Sequence, residues 1–297
     1  MKKFKKHFAF TMVEMVFVIV ILGIVAAIGS SIIAKIYQSY IYSRSINELQ
    51  TKTELALMQI SKFLSYRIKS SVIARKSQTD FKALNDANGS YPILEWIGYN
   101  NEGFEGNGTD PGWSGFVDLD SPETNQTQIK TSGSKLLYAE QNIYALSNGE
   151  VNLSNANSSA AIIFDGLPDD FNVSQYGWDN GGTEQHKYVF RVQKSGSDVL
   201  KFINQNAPTV YEHYKLVWSA YAIVPQGPRG DKNLTLYYNF RPWMDENDTN
   251  GSSSTLMEHV TTFRFRQIGE TIRLKLCVSN PTASDFNITF CKEEVVF

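Results

Sequence analysis

Cysteine is scarce: two in 297 residues exclude a disulfide-dense miniature scaffold, and without a CxxC pair they offer no zinc site. An excess of positive charge is also missing. With 30 acidic and 28 basic side chains the net charge is −2, so no broad basic surface points to nucleic acid. Long apolar runs are confined to one place near the N-terminus, which excludes a polytopic membrane protein, while 42% hydrophobic residues exclude wholesale disorder. Signs of catalysis are lacking as well. There is no P-loop or dinucleotide fingerprint, Gly112-Trp113-Ser114-Gly115 lacks the second glycine of a nucleophile elbow, and His186, His213 and His259 stand isolated. The chain is therefore read as a non-enzyme, and its five Trp and 15 Tyr as packing residues rather than a glycan- or DNA-binding surface.

What is present is a polarised N-terminus. Lys2, Lys3, Lys5 and Lys6 precede the apolar run, and without them 24 basic residues face 30 acidic ones. A cationic flank before an apolar segment predicts a cytoplasmic N-terminus and an exported body. Met15 to Ala34 is uncharged, and 20 helical residues at about 1.5 Å each span a bilayer core of about 30 Å. The alternative is a cleaved secretory signal using the small residues of Ala27-Ile28-Gly29. Between His7 and Ala34 the single charge is Glu14, and an ionised carboxylate at membrane depth calls for a partner or a function, unless it snorkels to the headgroups.

The run Lys5-Lys6-His7-Phe8-Ala9-Phe10-Thr11-Met12-Val13-Glu14, followed by the apolar helix, resembles the class III signal of type IV pilins and type II secretion pseudopilins. The resemblance implies that a prepilin peptidase cuts between Ala9 and Phe10, that Phe10 becomes the N-methylated first residue, and that Glu14 sets filament register by pairing with the Phe10 amine of a neighbouring subunit. The family usually has Gly before the cut; here a small residue, Ala9, takes that place. The resemblance covers about the first 35 residues.

Further along, Ile36, Tyr40, Ile46, Leu49, Ala56, Ile60, Leu64 and Ile68 recur mostly at helical spacing, and neither Gly nor Pro interrupts from Ser30 to Ala87. One long helix to about Ser71 is expected, its second half amphipathic. Residues 79–133, rich in Asn, Gly, Asp, Ser and Thr, read as loops and short irregular segments. Strands are predicted at Lys135–Leu146, Ala160–Phe164, Lys187–Val192, Lys215–Val224, Leu234–Phe240, Val260–Ile268 and Thr271–Val278, the last two joined by a type II′ turn at Gly269-Glu270. The predicted fold is α+β: a long N-terminal helix on an antiparallel head with long loops. Its parts are a leader (1–9), a membrane or filament-core helix (10–34), an amphipathic helix (35–75) and a periplasmic head (76–297). The stretch from Leu256 to Phe265 resembles the closing part of large minor pseudopilins and minor pilins of the J and W types. A head above 200 residues likewise suits a subunit present in few copies.

Cys277 and Cys291 lie 14 residues apart, and in an oxidising periplasm they are expected to pair, with two reduced thiols as the alternative. Ten Asn-x-Ser/Thr sequons occur, and acids are only a tenth of the chain. Yet an acid stands two positions before nine of them: Asn88, Asn107, Asn125, Asn152, Asn172, Asn233, Asn247, Asn250 and Asn287, but not Asn157. This pattern resembles the extended acceptor of the bacterial periplasmic N-oligosaccharyltransferase, and it implies a glycosylated head with most sequons in exposed loops. Clustering of Asn, Asp, Ser and Thr in turns is the plainer explanation, but it does not account for the fixed offset. At Asp245 to Gly251 the EF-hand pattern fails, its Gly and closing Glu being out of place, and overlapping sequons explain the loop better; calcium stays open there because the resembled family's major pseudopilins use it.

The sequence thus points to a minor pilin or pseudopilin in the inner membrane, single-pass, priming or capping a secretion pseudopilus, type IV pilus or DNA-uptake filament. Its expected partners are other pilins, the prepilin peptidase, the assembly platform and the N-oligosaccharyltransferase, with no direct nucleic-acid binding. The rival reading is a membrane-anchored or secreted glycoprotein with a ligand-binding head.

Overall fold

The computed structural model describes residues 11–157, 160–166, 172–179, 186–203, 206–207, 209–280 and 288–297. It shows a long N-terminal helix followed by a large antiparallel sheet head, an α+β fold. Helix α1, Met12–Ser65, has 54 residues and is about 81 Å long. Only its last third is covered by the head. Leu49, Thr53, Ala56, Leu57, Ile60 and Leu64 are buried, a spacing of three and four that draws one stripe against the sheet.

The helix ends at Ser65, short of the expected Ser71, because the chain finds other backbone partners. Ile68 N donates to Ile97 O and Tyr99 N donates to Tyr66 O, so residues 66–68 join the sheet. Arg67, 4% exposed, donates to Leu64 O, Phe297 O and Glu270 O, satisfying a last-turn carbonyl and tying the helix end to the C-terminus and to a hairpin turn.

Among the described residues the head has twelve strands: β1 Ile73–Arg75, β2 Phe81–Ala83, β3 Ile93–Tyr99, β4 Gln128–Lys130, β5 Ala161–Phe164, β6 Phe190–Lys194, β7 Val199–Phe202, β8 Tyr214–Gln226, β9 Lys232–Phe240, β10 Ser252–Ile268, β11 Thr271–Ser279 and β12 Thr289–Val296. Every pairing is antiparallel, in the order β12-β11-β10-β9-β8-β5-β6-β7-β4. Strand β8 is the hub: it pairs with β5 at its start, with β3 through its middle and with β9 towards its end. β1 joins on through β3, and β2 through β1.

Two short helices, α2 Asn101–Glu105 and α3 Leu136–Leu146, complete the head. One core lies under α1 and is built from Leu57, Ile60, Leu94, Leu274, Leu276 and their neighbours. A second core packs Leu136, Ala139 and Ile143 of α3 against β5 to β8, and a third lies among Ile73, Ile97, Ile163 and Val217.

Two expectations are corrected here. Lys135–Leu146 is helical, not a strand: Leu136, Ala139 and Ile143 are the buried positions, and their spacing of three and four, in a segment of good helix formers, outweighs the Tyr and Ile content. Residues 79–133 are not all loop, since β3 crosses them. Leu94 to Gly98 are buried without a break, so no period-2 alternation marks the strand. Gly98 in β3 is required by a close approach, because a Cβ there would meet Tyr221 Cε2 at 2.6 Å.

The β10–β11 hairpin closes on the pair Ile268 and Thr271, with Gly269 at φ 60°, the positive value the first position of a II′ turn demands. Cys277 and Cys291 face each other across β11 and β12 and are joined as a disulfide. Replacing both by Ser is expected to cost about 3 kcal/mol for a loop of this size, read by urea unfolding of detergent-solubilised full-length protein with and without reductant. An unchanged midpoint would show that the strand ladder alone holds β12.

Candidate assembly helix and glycan acceptor positions

Ala9 and Phe10 lie outside the described residues. The first described turn is built by Thr11 and Glu14 as a reciprocal capping box. Glu14 N donates to Thr11 Oγ1 at 3.3 Å, while Thr11 N donates back to Glu14 Oε2 at 3.4 Å. The carboxylate sits in the first turn, where the positive end of the helix macrodipole favours it. Thr11 was not singled out from sequence, although Thr-x-x-Glu before an apolar run is a legible signal.

From Met12 to Ile36 the large apolar side chains are exposed, and none of the most apolar stretch is buried by the rest of the chain. The helix is long and apolar enough to cross a membrane. Just past the uncharged span stand Lys35, Tyr37, Tyr40 and Tyr42, with the three tyrosines 43–64% exposed. Cation and aromatics at that level match the interfacial belt of a spanning helix. Beyond it, Lys292 of β12 reaches Glu54 at 3.0 Å and helps seat the helix on the head.

A helix long and apolar enough to span a membrane, preceded by a basic flank and carrying an acid in its first turn, has the form of a pilin-type signal. The family model described as the prokaryotic N-terminal methylation motif matches residues 4–30, which fits the class III signal of pilins and pseudopilins. No curated protein and no solved structure matches the chain.

The sequons share a local geometry. In Asn88, Asn107, Asn125, Asn152, Asn172 and Asn247 the side-chain Oδ1 accepts a hydrogen bond from the backbone N–H two residues on, at 2.8–3.0 Å. Asn250 differs: its Oδ1 accepts from Asn247 N within a capping box. Asn233 lies in β9, opposite Gln226 of β8. Asn287 lies outside the described residues.

Two of the three carboxylates in the acidic loop at 245–251 turn inward. Asp248, 6% exposed, pairs with Arg75 at 2.9 Å, and Glu246 pairs with Arg241 at 2.7 Å. Asp245 alone of the three faces outward, so the loop does not present a calcium cage, and no group of three His, Cys, Asp or Glu suited to a metal occurs among the described residues. The histidines are dispersed. His259 contacts Asp231 at 2.9 Å, His213 meets Phe116 edge to face, and burial lowers the pKa of His186.

Arg75 also meets Glu95 at 2.6 Å, so one guanidinium bridges two buried carboxylates. Burial pushes the Glu95 carboxyl up to about 7; the Arg75 charge pulls the other way and the Asp248 charge adds to the rise. Sequence reading did not pair these residues, which stand on β1, β3 and a distant loop.

Proposed function

We propose that the protein is a minor subunit of a pilus-like or pseudopilus-like filament, a mechanical component rather than an enzyme. The observation that carries this reading is the apolar helix with Glu14 in its first turn, projecting from the head with no intramolecular cover. A membrane alone would cover the apolar residues, and the first-turn cap gives Glu14 a local role; a filament adds a partner for its charge. In a filament the carboxylate meets the α-amino group that leader removal creates on the next subunit, and the unpaired state is penalised.

The bulk of the head, with its three cores, supports a place at the tip or in the priming complex rather than in the repeating shaft. Supporting partners are other pilins, the prepilin peptidase that creates the new terminus, and the inner-membrane platform that drives assembly. Secretion, adhesion or motility, and DNA uptake share this N-terminus.

The test is mass spectrometry of the N-terminal peptide of protein purified from its native membranes. A terminus at Phe10 carrying one extra methyl group is expected. An intact Met1, or a start near Ser30, would overturn the assembly reading in favour of an anchored or secreted glycoprotein.

A further inference from the structure

We propose that Asn88, Asn107 and Asn125 are the N-glycan acceptors of the folded head, and that Asn233 and Asn250, which carry the same sequence pattern, are not. The inference shares one premise with the assembly reading, the export of the head. It rests on which parts of each sequon the fold leaves accessible.

The recurring pattern has three polar elements: an acid two residues before, the asparagine, and a hydroxyl two residues after. An enzyme that reads all three must reach all three. For Asn88 the trio is Asp86, Asn88 and Ser90; for Asn107 it is Glu105, Asn107 and Thr109; for Asn125 it is Glu123, Asn125 and Thr127. All nine residues are exposed. In each, Oδ1 is held by the N–H of the third member, and in two the hydroxyl is held there as well, at 2.5 Å for Ser90 and 2.6 Å for Thr127. The turn therefore brings carboxamide and hydroxyl together on the surface before any enzyme arrives. The acids are within reach too: Glu123 pairs with Lys130 at 2.7 Å but keeps half its side chain in solvent, and such surface pairs exchange cheaply.

The other two sequons each lose one element to the fold. Thr235, the hydroxyl of the Asn233 sequon, is 6% exposed inside β9. Asp248, the acid of the Asn250 sequon, is 6% exposed, with Arg75 on one oxygen and Gln78 on the other. Exposing either would mean opening a strand or breaking a buried ion pair, at several kcal/mol. Asn152 and Asn247 are themselves half-buried, and the acid of Asn172, Asp170, lies outside the described residues, so the assignment stops at three.

The modification takes an oligosaccharide carried on a polyprenyl diphosphate. Asn Nδ2 attacks the anomeric carbon, the new C–N bond replaces the C–O bond to the diphosphate, the lipid diphosphate leaves, and the Nδ2 proton passes to a base of the transferase. No described sequon falls on α1, β11 or β12.

The experiment is glycopeptide mass spectrometry on full-length protein from native membranes, with the N-terminal peptide read in the same digest. Glycan mass is expected at Asn88, Asn107 and Asn125 and none at Asn233 or Asn250. Asn→Gln at each acceptor should remove one mobility step on a gel. Asp86→Ala, Glu105→Ala and Glu123→Ala should each empty their own asparagine while the melting temperature holds. Glycan at Asn233 or Asn250 would overturn the proposal, since the sequence pattern would then suffice without the fold. A methylated Phe10 terminus with bare asparagines at all three positions would overturn it and leave the assembly reading intact. An unprocessed terminus with glycans at the three positions would sustain it without that reading.

Discussion

Glu14→Ala is expected to leave the protein in the membrane at undiminished level while its recovery with other pilins after cross-linking falls more than tenfold. An ionised carboxylate costs a monomer about 2.5–3.5 kcal/mol at the centre of a membrane helix and less in its first turn, so its removal should if anything ease insertion. In the proposed filament the same group answers a buried α-amine, and truncating one partner of such a pair is expected to cost about 2–5 kcal/mol, because the other charge is left stranded. The two effects have opposite signs, which makes the phenotype diagnostic.

The capping box complicates a plain alanine change, since Glu14 also accepts from Thr11 N. Glu14→Gln separates the two roles: it keeps an acceptor for Thr11 and removes the charge. A neutral but capped variant that assembles normally would show that the carboxylate is a helix cap and nothing more. Thr11→Ala should bring only the loss of a cap, about 0.5–2 kcal/mol, with assembly retained.

Arg75→Ala carries the largest expected loss of stability, about 3–5 kcal/mol by urea unfolding, as it leaves Glu95 and Asp248 buried without a counter-charge. These residues are 2–6% exposed and bind β1, β3 and the loop before β10 into one unit. The loss should depend on pH. A carboxyl whose folded pKa is about 7, above its ordinary 4.5, favours the folded state fully below 4.5, and that contribution fades as pH rises through 7. Without Arg75 the ionised form of Glu95 is more costly still, so the variant should be penalised less at about pH 5 than at about pH 8. Adding Glu95→Gln to Arg75→Ala should recover stability at the higher pH. Equal losses at both would show that Glu95 is ionised throughout.

The N-terminal third of the site was legible from sequence because bilayer physics leaves few options. A 20-residue uncharged span after a lysine cluster reads as a membrane helix whatever follows, and a lone acid in its first turn has to be explained. The β10–β11 hairpin was legible for a similar reason, since alternation and Gly269 pointed the same way. Strand β3 was hidden because both its faces are buried, and α3 was mistaken because Leu, Tyr and Ile serve helix and strand alike when a segment is short. The Arg75 cluster joins residues 20 and 173 positions apart, and only the folded sheet brings them together. The sequon pattern was visible in full, but the hiding of Thr235 and Asp248 was not, because burial is a property of the strand and the ion pair rather than of the motif.

Consider finally what the link between α1 and β12 implies for a subunit pulled along its helix axis. Part of the tension carried by the end of α1 passes through Arg67 to the carbonyl of Phe297 and through Glu54 to Lys292 and bears on the outermost strand of the sheet, while residues 66–68 carry the rest to β3. An edge strand loaded from its end tends to peel, one rung at a time. The covalent link between Cys277 and Cys291 lies two rungs from the far end of that ladder. Peeling that starts at Val296 must stop there, and the pull is handed on to β11 and the sheet behind it. In the proposed filament the disulfide would act as a rip-stop for any subunit put under tension.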